Sequence, residues 1–214
     1  MAALLISRWV LIRLATRPAI VLLLIALALC VPLAEQLRPT PNLQGTVDTA
    51  LAWCFPAGLL GVCLGLVTLS RDEGLLRRLE PRSRWAGGLG ALLTSAALLQ
   101  LPIIAGATSL GTHALDWLSA APAILGANLR LAGVALMLLV PALPTAQRTL
   151  LFLSATWILP ALLGDGSVIT QLLDAGAALR SPEPTGLLSS YAAASALGIA
   201  GYLLHAGLRR RSLR

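Results

Sequence analysis

Long apolar runs alternate with short polar segments along the whole chain. An α-helix needs about 17 to 25 largely apolar residues to cross a hydrocarbon core of roughly 30 Å, and six runs reach or approach that length. No segment shows the sustained apolar/polar alternation of membrane-spanning strands. The pattern therefore predicts six transmembrane helices, over residues 19–34, 49–69, 86–109, 118–142, 149–164 and 186–208.

The composition agrees with a membrane location. Of 214 residues, 57% are hydrophobic and only 12% are charged, and the mean hydropathy is +0.82. In a soluble domain about a quarter of the residues are charged. We expect an all-α integral membrane protein in which residues 1–214 form a single transmembrane domain.

The charged residues indicate how the spans are oriented. All sixteen basic residues are arginine, and thirteen of them precede span one, follow span six, or lie between spans two and three or four and five. By the positive-inside rule both termini are then cytoplasmic. Six acidic residues fall at or beyond the opposite boundary, namely Glu35, Asp48, Asp116, Asp165, Asp174 and Glu183. The net charge of +7 therefore reflects orientation in a bilayer, and we expect no nucleic-acid partner.

Two further segments have the character of interfacial helices. Residues 1–18 contain Trp9, a headgroup anchor, and a polar face with Arg13, Thr16 and Arg17. A basic topology signal with no other role is the alternative for this segment. Residues 165–185 include an amphipathic stretch that is predicted to lie at the outer surface.

Several kinds of chemistry are absent from the sequence. The chain has no lysine, which excludes a phosphate-binding P-loop and a Schiff-base mechanism. No carboxylate lies deep in a span, and neither GxSxG nor HExxH occurs. Cys30, Cys54 and Cys63 are predicted to pack as small apolar groups, while His113 and His205 fall on opposite sides of the membrane. We predict no catalytic residue, no metal site and no enzyme activity of the chain by itself.

Small residues recur at packing intervals in span two. Gly61 and Gly65 form a GxxxG motif, which lets two helix backbones approach closely in lipid. The motif favours helix packing within the chain, and its alternatives are a subunit interface or a substrate path. Prolines interrupt four spans, a pattern found where helices are broken in transporters; they are Pro56, Pro102, Pro122 and Pro160.

Arg130 lies near the middle of span four. A charge at that depth costs about 2.5 to 3.5 kcal/mol on the insertion scale, so such residues are usually functional. It is a candidate for a substrate path or a subunit interface. The alternative is that the span begins close to Arg130 and that residues 118–129 lie near the outer interface.

The segment 70–85, between spans two and three, is the longest charged stretch in the chain. Its sequence, SRDEGLLRRLEPRSRW, combines arginines with an acid–glycine start, leucines at one-turn spacing and a proline–serine–arginine turn. A topology signal requires the arginines but not the other features.

This segment resembles the first cytoplasmic loop of the type-2 permeases of ATP-binding-cassette exporters. In size and six-span topology, the chain is most similar to the haem exporter protein B family of cytochrome c maturation. The resemblance implies a coupling segment that docks on a separate ATPase subunit. The residues that carry it are Asp72, Glu73, Gly74, Leu75, Leu76, Leu79, Pro81, Ser83 and Arg84, and Arg77 is a further candidate for the contact with the ATPase.

The resemblance also implies the partners and the location. We expect a P-loop ATPase subunit that binds ATP and Mg²⁺, a second copy or homologue of this permease, and a bacterial inner membrane. The chain itself would hold no cofactor, and haem would be the exported substrate. The alternatives are an exporter of lipid-linked or peptide cargo and a membrane scaffold that docks a cytoplasmic partner without transport.

Overall fold

The computed structural model describes residues 2–37, 43–71, 81–139 and 143–158, and every regular element within them is helical. The predictions for residues 72–80 and 159–214 lie outside the described residues; they include part of span five, span six, His205 and the amphipathic segment 165–185. The helices are α1 (Ala2–Ala15), α2 (Pro18–Gln36), α3 (Leu43–Arg71), α4 (Pro81–Thr108), α5 (Ala114–Leu138) and α6 (Thr145–Leu153), and a π-helical turn follows over Ser154–Ile158.

Three of these helices are long and apolar enough to cross a membrane, over Pro18–Gln36, Gly45–Arg71 and Trp85–Thr108. They coincide with predicted spans one to three to within four residues, and the prediction of a helical membrane protein is confirmed at this level. In α5 the apolar part is shorter, Ile124–Leu138. The total of six spans and the side on which the termini lie remain predictions.

Within the described residues, the prolines that interrupt the predicted spans do not end a helix; Pro122 lies inside α5, and Pro160 lies outside the described residues. Pro56 lies inside α3 and Pro102 inside α4, and both helices continue for more than a turn on each side. Pro32 lies in the same way inside α2. Pro56 is exposed and Pro102 and Pro32 are half-buried, and the helix continues through all three positions.

The contact between α3 and α4 is the most extensive in the bundle. At its centre the backbones nearly touch, because a Cβ built on Gly61 would lie 2.5 Å from Ser95 O and 2.6 Å from Ala96 Cα. One turn further, a Cβ on Gly65 would lie 2.9 Å from Ser95 Oγ and 3.1 Å from Leu92 Cδ2. The glycines that formed the predicted GxxxG motif therefore pack against α4 of the same chain.

The helix predicted at the N-terminus is present as α1, and it packs along the first part of α4. Ile6, Val10 and Leu14 recur every four residues and are buried in the main apolar cluster. The glycines at the start of α4 make room for this contact, since a Cβ on Gly87 would clash with Ile6 and one on Gly90 would lie 2.6 Å from Ser7 Oγ.

A second close approach joins α2 to the C-terminal part of α4. A Cβ on Gly106 would collide with the carbonyl oxygen of Ala28 and lie 3.3 Å from Pro32 Cδ. A second apolar cluster, which includes Val31 and Ile103, surrounds this contact. The helix α4 thus contacts α1 near its start, α2 near its end and α3 along its length, which makes it the central helix of the described bundle.

Replacing Gly61 with alanine tests the close approach of α3 and α4. We expect the added methyl to force the helices apart and to lower the free energy of unfolding by about 1 to 3 kcal/mol, although alanine is the better helix former by about 1 kcal/mol. The measurement is unfolding of the purified protein in mixed micelles by a denaturing detergent.

Ala52→Leu provides the matched control, because Ala52 is an exposed position on the same helix. We expect it to change the free energy of unfolding by less than about 0.5 kcal/mol. Equal stability of Gly61→Ala and the unsubstituted protein would contradict the packing described for α3 and α4.

Candidate functional site

A pair of amide side chains lies in the interior of the apolar bundle. Gln100 of α4 and Asn128 of α5 are 4% and 6% exposed. Gln100 Nε2 donates to Asn128 Oδ1 at 3.1 Å, and Asn128 Nδ2 donates to Gln100 Oε1 at 2.7 Å. The other Gln100 N–H bonds the carbonyl oxygen of Cys54 in α3 at 2.8 Å. Three helices are therefore joined at one polar point.

Gly58 provides the space for this pair. A Cβ on Gly58 would collide with Gln100 Nε2 and lie 2.7 Å from Asn128 Oδ1. Glycine at this position therefore lets both amides approach the backbone of α3, one turn beyond the carbonyl of Cys54.

The amide pair lies far from the ends of the helices. At 1.5 Å per residue, Gln100 lies about 12 Å of helix axis from the end of α4 at Thr108, well inside the apolar part of the helix. Amides at that depth have no access to bulk water, so Asn128 depends on Gln100 for its hydrogen bonds, and Gln100 depends on Asn128 and on the carbonyl of Cys54. The pair fixes α5 in one register against α3 and α4.

Arg130, the sequence candidate for a substrate path, lies within an unbroken α5 and is half-buried. Two residues along a helix turn by about 200°, so Arg130 faces away from the amide of Asn128. Gly126 and Gly133 are buried on the side of α5 that carries Arg130. Two polar residues of α5 therefore lie in different surroundings: the Asn128 amide is buried inside the bundle, and the Arg130 side chain is half-buried on another face.

The predicted coupling segment joins the ends of α3 and α4. Asp72, Glu73, Gly74, Leu75, Leu76, Arg77 and Leu79 lie outside the described residues. Pro81, Ser83 and Arg84 form the first turn of α4, so the helix begins five residues before predicted span three. Within this chain Gly61 and Gly65 are buried against α4. Their role on a substrate path or between subunits stays a prediction.

The surroundings of Arg148 differ from the sequence interpretation. Arg148 was assigned to a loop between spans four and five, yet it lies in the first turn of α6 and is only 1% exposed. It precedes Phe152 by one helical turn, and Phe152 is wholly buried in the main apolar cluster. The two residues are four positions apart and so share one face of α6, and the long apolar stem of an arginine suits such a buried position.

A second polar group lies where the end of α4 meets the start of α5. Trp117 Nε1 donates to Thr112 Oγ1 at 3.0 Å, and both side chains are buried. Glu35, which was assigned to the outer boundary, is also buried, near the end of α2. Among the described residues, no group of three or more His, Cys, Asp or Glu side chains is arranged to hold a metal ion.

Sequence reasoning missed the amide pair. The available signal was the presence of Gln100 and Asn128 inside apolar runs, where an amide needs a hydrogen-bonding partner.

Cys54, predicted to pack as a small apolar group, is buried beside the pair, and Cys30 and Cys63 are half-buried.

Comparisons of the chain with known protein families, curated proteins and solved structures gave no match.

A double-mutant cycle tests whether the two amides support each other. Gln100→Leu and Asn128→Leu each leave one buried amide without its partner, and we expect each to lower the free energy of unfolding by about 1 to 2 kcal/mol. The double variant should cost less than the sum of the two, because no orphaned amide remains. Additive costs would show that the side chains do not interact.

Gly58→Ala should act through the same pair. The new methyl would displace both amide groups, so we expect a loss of stability of about 1 kcal/mol or more in the unsubstituted background. When Gly58→Ala is made in the double variant Gln100→Ala/Asn128→Ala, the added loss of stability should largely disappear. A loss of the same size in both backgrounds would mean that Gly58 makes room for something other than the amides.

Proposed function

We propose that this chain is the membrane subunit of an ATP-driven exporter in a bacterial inner membrane, with six spans and cytoplasmic termini. A separate P-loop ATPase would bind ATP and Mg²⁺ and would dock on residues 70–85. A second copy or homologue of the chain would complete the path. The chain has no lysine and so no P-loop of its own.

The observation that carries this proposal is the position of segment 72–80 between α3 and α4. These two helices form the most extensive contact of the bundle and nearly touch at Gly61. A force applied to the segment would therefore move both helices together, because packed helices shift as units. Because residues 72–80 connect α3 to α4 in the sequence, an ATPase docked on them would act on this helix pair.

The amide pair extends this linkage to α5. Gln100 lies on α4, accepts and donates hydrogen bonds with Asn128, and also bonds the backbone of α3. Movement of the α3–α4 pair would be transmitted to α5 and to Arg130, which is half-buried there. Arg130 would then offer a cationic contact to an anionic group of the cargo, and the resemblance suggests haem, whose propionates are such groups.

The proposal predicts a partner whose ATP hydrolysis depends on segment 70–85. The full chain, purified in mild detergent, should retain a P-loop ATPase. Leu76→Asp places a charge among the regularly spaced leucines of the segment, and Arg77→Ala removes a cation. We expect each to weaken binding about tenfold, which corresponds to 1.4 kcal/mol, and to lower stimulated ATP hydrolysis accordingly.

The matched control is a chain in which residues 72–80 are scrambled with the number of arginines kept. A topology signal would survive this change, whereas a docking segment would not. Retained binding and stimulation by the scrambled chain, or purification without any nucleotide-binding partner, would overturn the proposal.

A further inference from the structure

The exposed face of α1 combines apolar side chains with arginine. Leu4, Leu5 and Ile12 are 75%, 64% and 49% exposed. Arg8 lies among them on the same face and is also exposed. The opposite face packs along α4 through Ile6 and its neighbours, so the exposed apolar residues are not the inner side of the helix.

The flank of this face has the chemistry of a membrane interface. The Arg13 guanidinium lies 4.9 Å from the centre of the Trp9 ring, in a cation–π contact. Trp is enriched where hydrocarbon meets headgroups because its ring is apolar and its N–H is polar. Arg17, which is exposed, then precedes the first residue of α2.

The charge of this surface is not balanced by acidic residues nearby in the sequence. The first carboxylate of the chain is Glu35, at the far end of α2. The surface is thus complementary to anions. The next helix, α2, also exposes apolar side chains, with Leu22, Ile25 and Leu29 68%, 53% and 50% exposed, and it is long and apolar enough to cross a membrane. An anion that is joined to hydrocarbon fits both properties, whereas a nucleic acid or an acidic peptide fits only the charge.

We infer that the exposed face of α1, together with Arg17 in the link to α2, binds anionic phospholipid, with Arg8 and Arg17 contacting headgroup phosphates and Leu4, Leu5 and Ile12 contacting acyl chains. Arg13 and Trp9 form the edge of the same surface. The inference depends on the membrane location of the bundle and not on the exporter proposal, so either one can fail without the other.

The test uses the fluorescence of Trp9 in the full chain, reconstituted in vesicles of phosphatidylcholine and phosphatidylglycerol. In parallel samples one lipid or the other carries brominated acyl chains, which quench a nearby Trp, at the same mole fraction. The Trp9 contribution is the difference between the protein and Trp9→Phe. We expect brominated phosphatidylglycerol to quench more, with an enrichment of about fivefold for one arginine–headgroup contact.

Arg8→Gln combined with Arg17→Gln should remove this preference, and high salt should reduce it. Arg71→Gln is the matched control, since Arg71 is also exposed but ends α3; it should leave the preference unchanged. Equal quenching by the two lipids in the unsubstituted protein would overturn the inference, as would quenching by neither. It would also be overturned if the paired variant kept the preference, or if Arg71→Gln lost it.

Discussion

The close approach of α3 and α4 at Gly61 is the contact on which the rest of the described bundle depends. In a bilayer the lipid is as apolar as the helix surfaces, so helices associate through dispersion contacts and hydrogen bonds. Both require short distances, and the distances at Gly61 leave no room for a methyl group. Glycines serve α4 in the same way where it meets α1 at Gly87 and α2 at Gly106.

The polar side chains of the interior use the geometry that these glycines create. Gln100 reaches the backbone of α3 only because Gly58 has no side chain, and Asn128 then completes its hydrogen bonds. The pair is costly to break because no water is available to replace either partner. Close packing and polar pairing thus hold three helices in one arrangement, and the segment between α3 and α4 is attached directly to it.

The positions of the long helices could be predicted well, because an uninterrupted apolar run in lipid has few alternatives to a spanning helix. Predicted spans one to three and the observed helices differ only at their ends. The partners of each helix face could not be predicted, since Gly61 and Gly65 fit a contact with α4 as well as one with a second subunit. Gln100 and Asn128 are 28 residues apart in sequence, and only the crossing of α4 with α5 brings them together. The burial of Arg148 was missed for the same reason. Arg148 lies on the same face of α6 as Phe152, and that face packs into the core.

The most direct test of the account is the behaviour of Gly61→Ala in the complex with the ATPase that we propose. Gly61 lies far along α3 from segment 72–80, so loosening its contact should leave binding of the ATPase unchanged. Stimulated ATP hydrolysis should fall several-fold, because α3 and α4 would no longer move together. Unchanged hydrolysis in a Gly61→Ala variant whose free energy of unfolding is lowered would contradict the claim that this helix pair transmits the force.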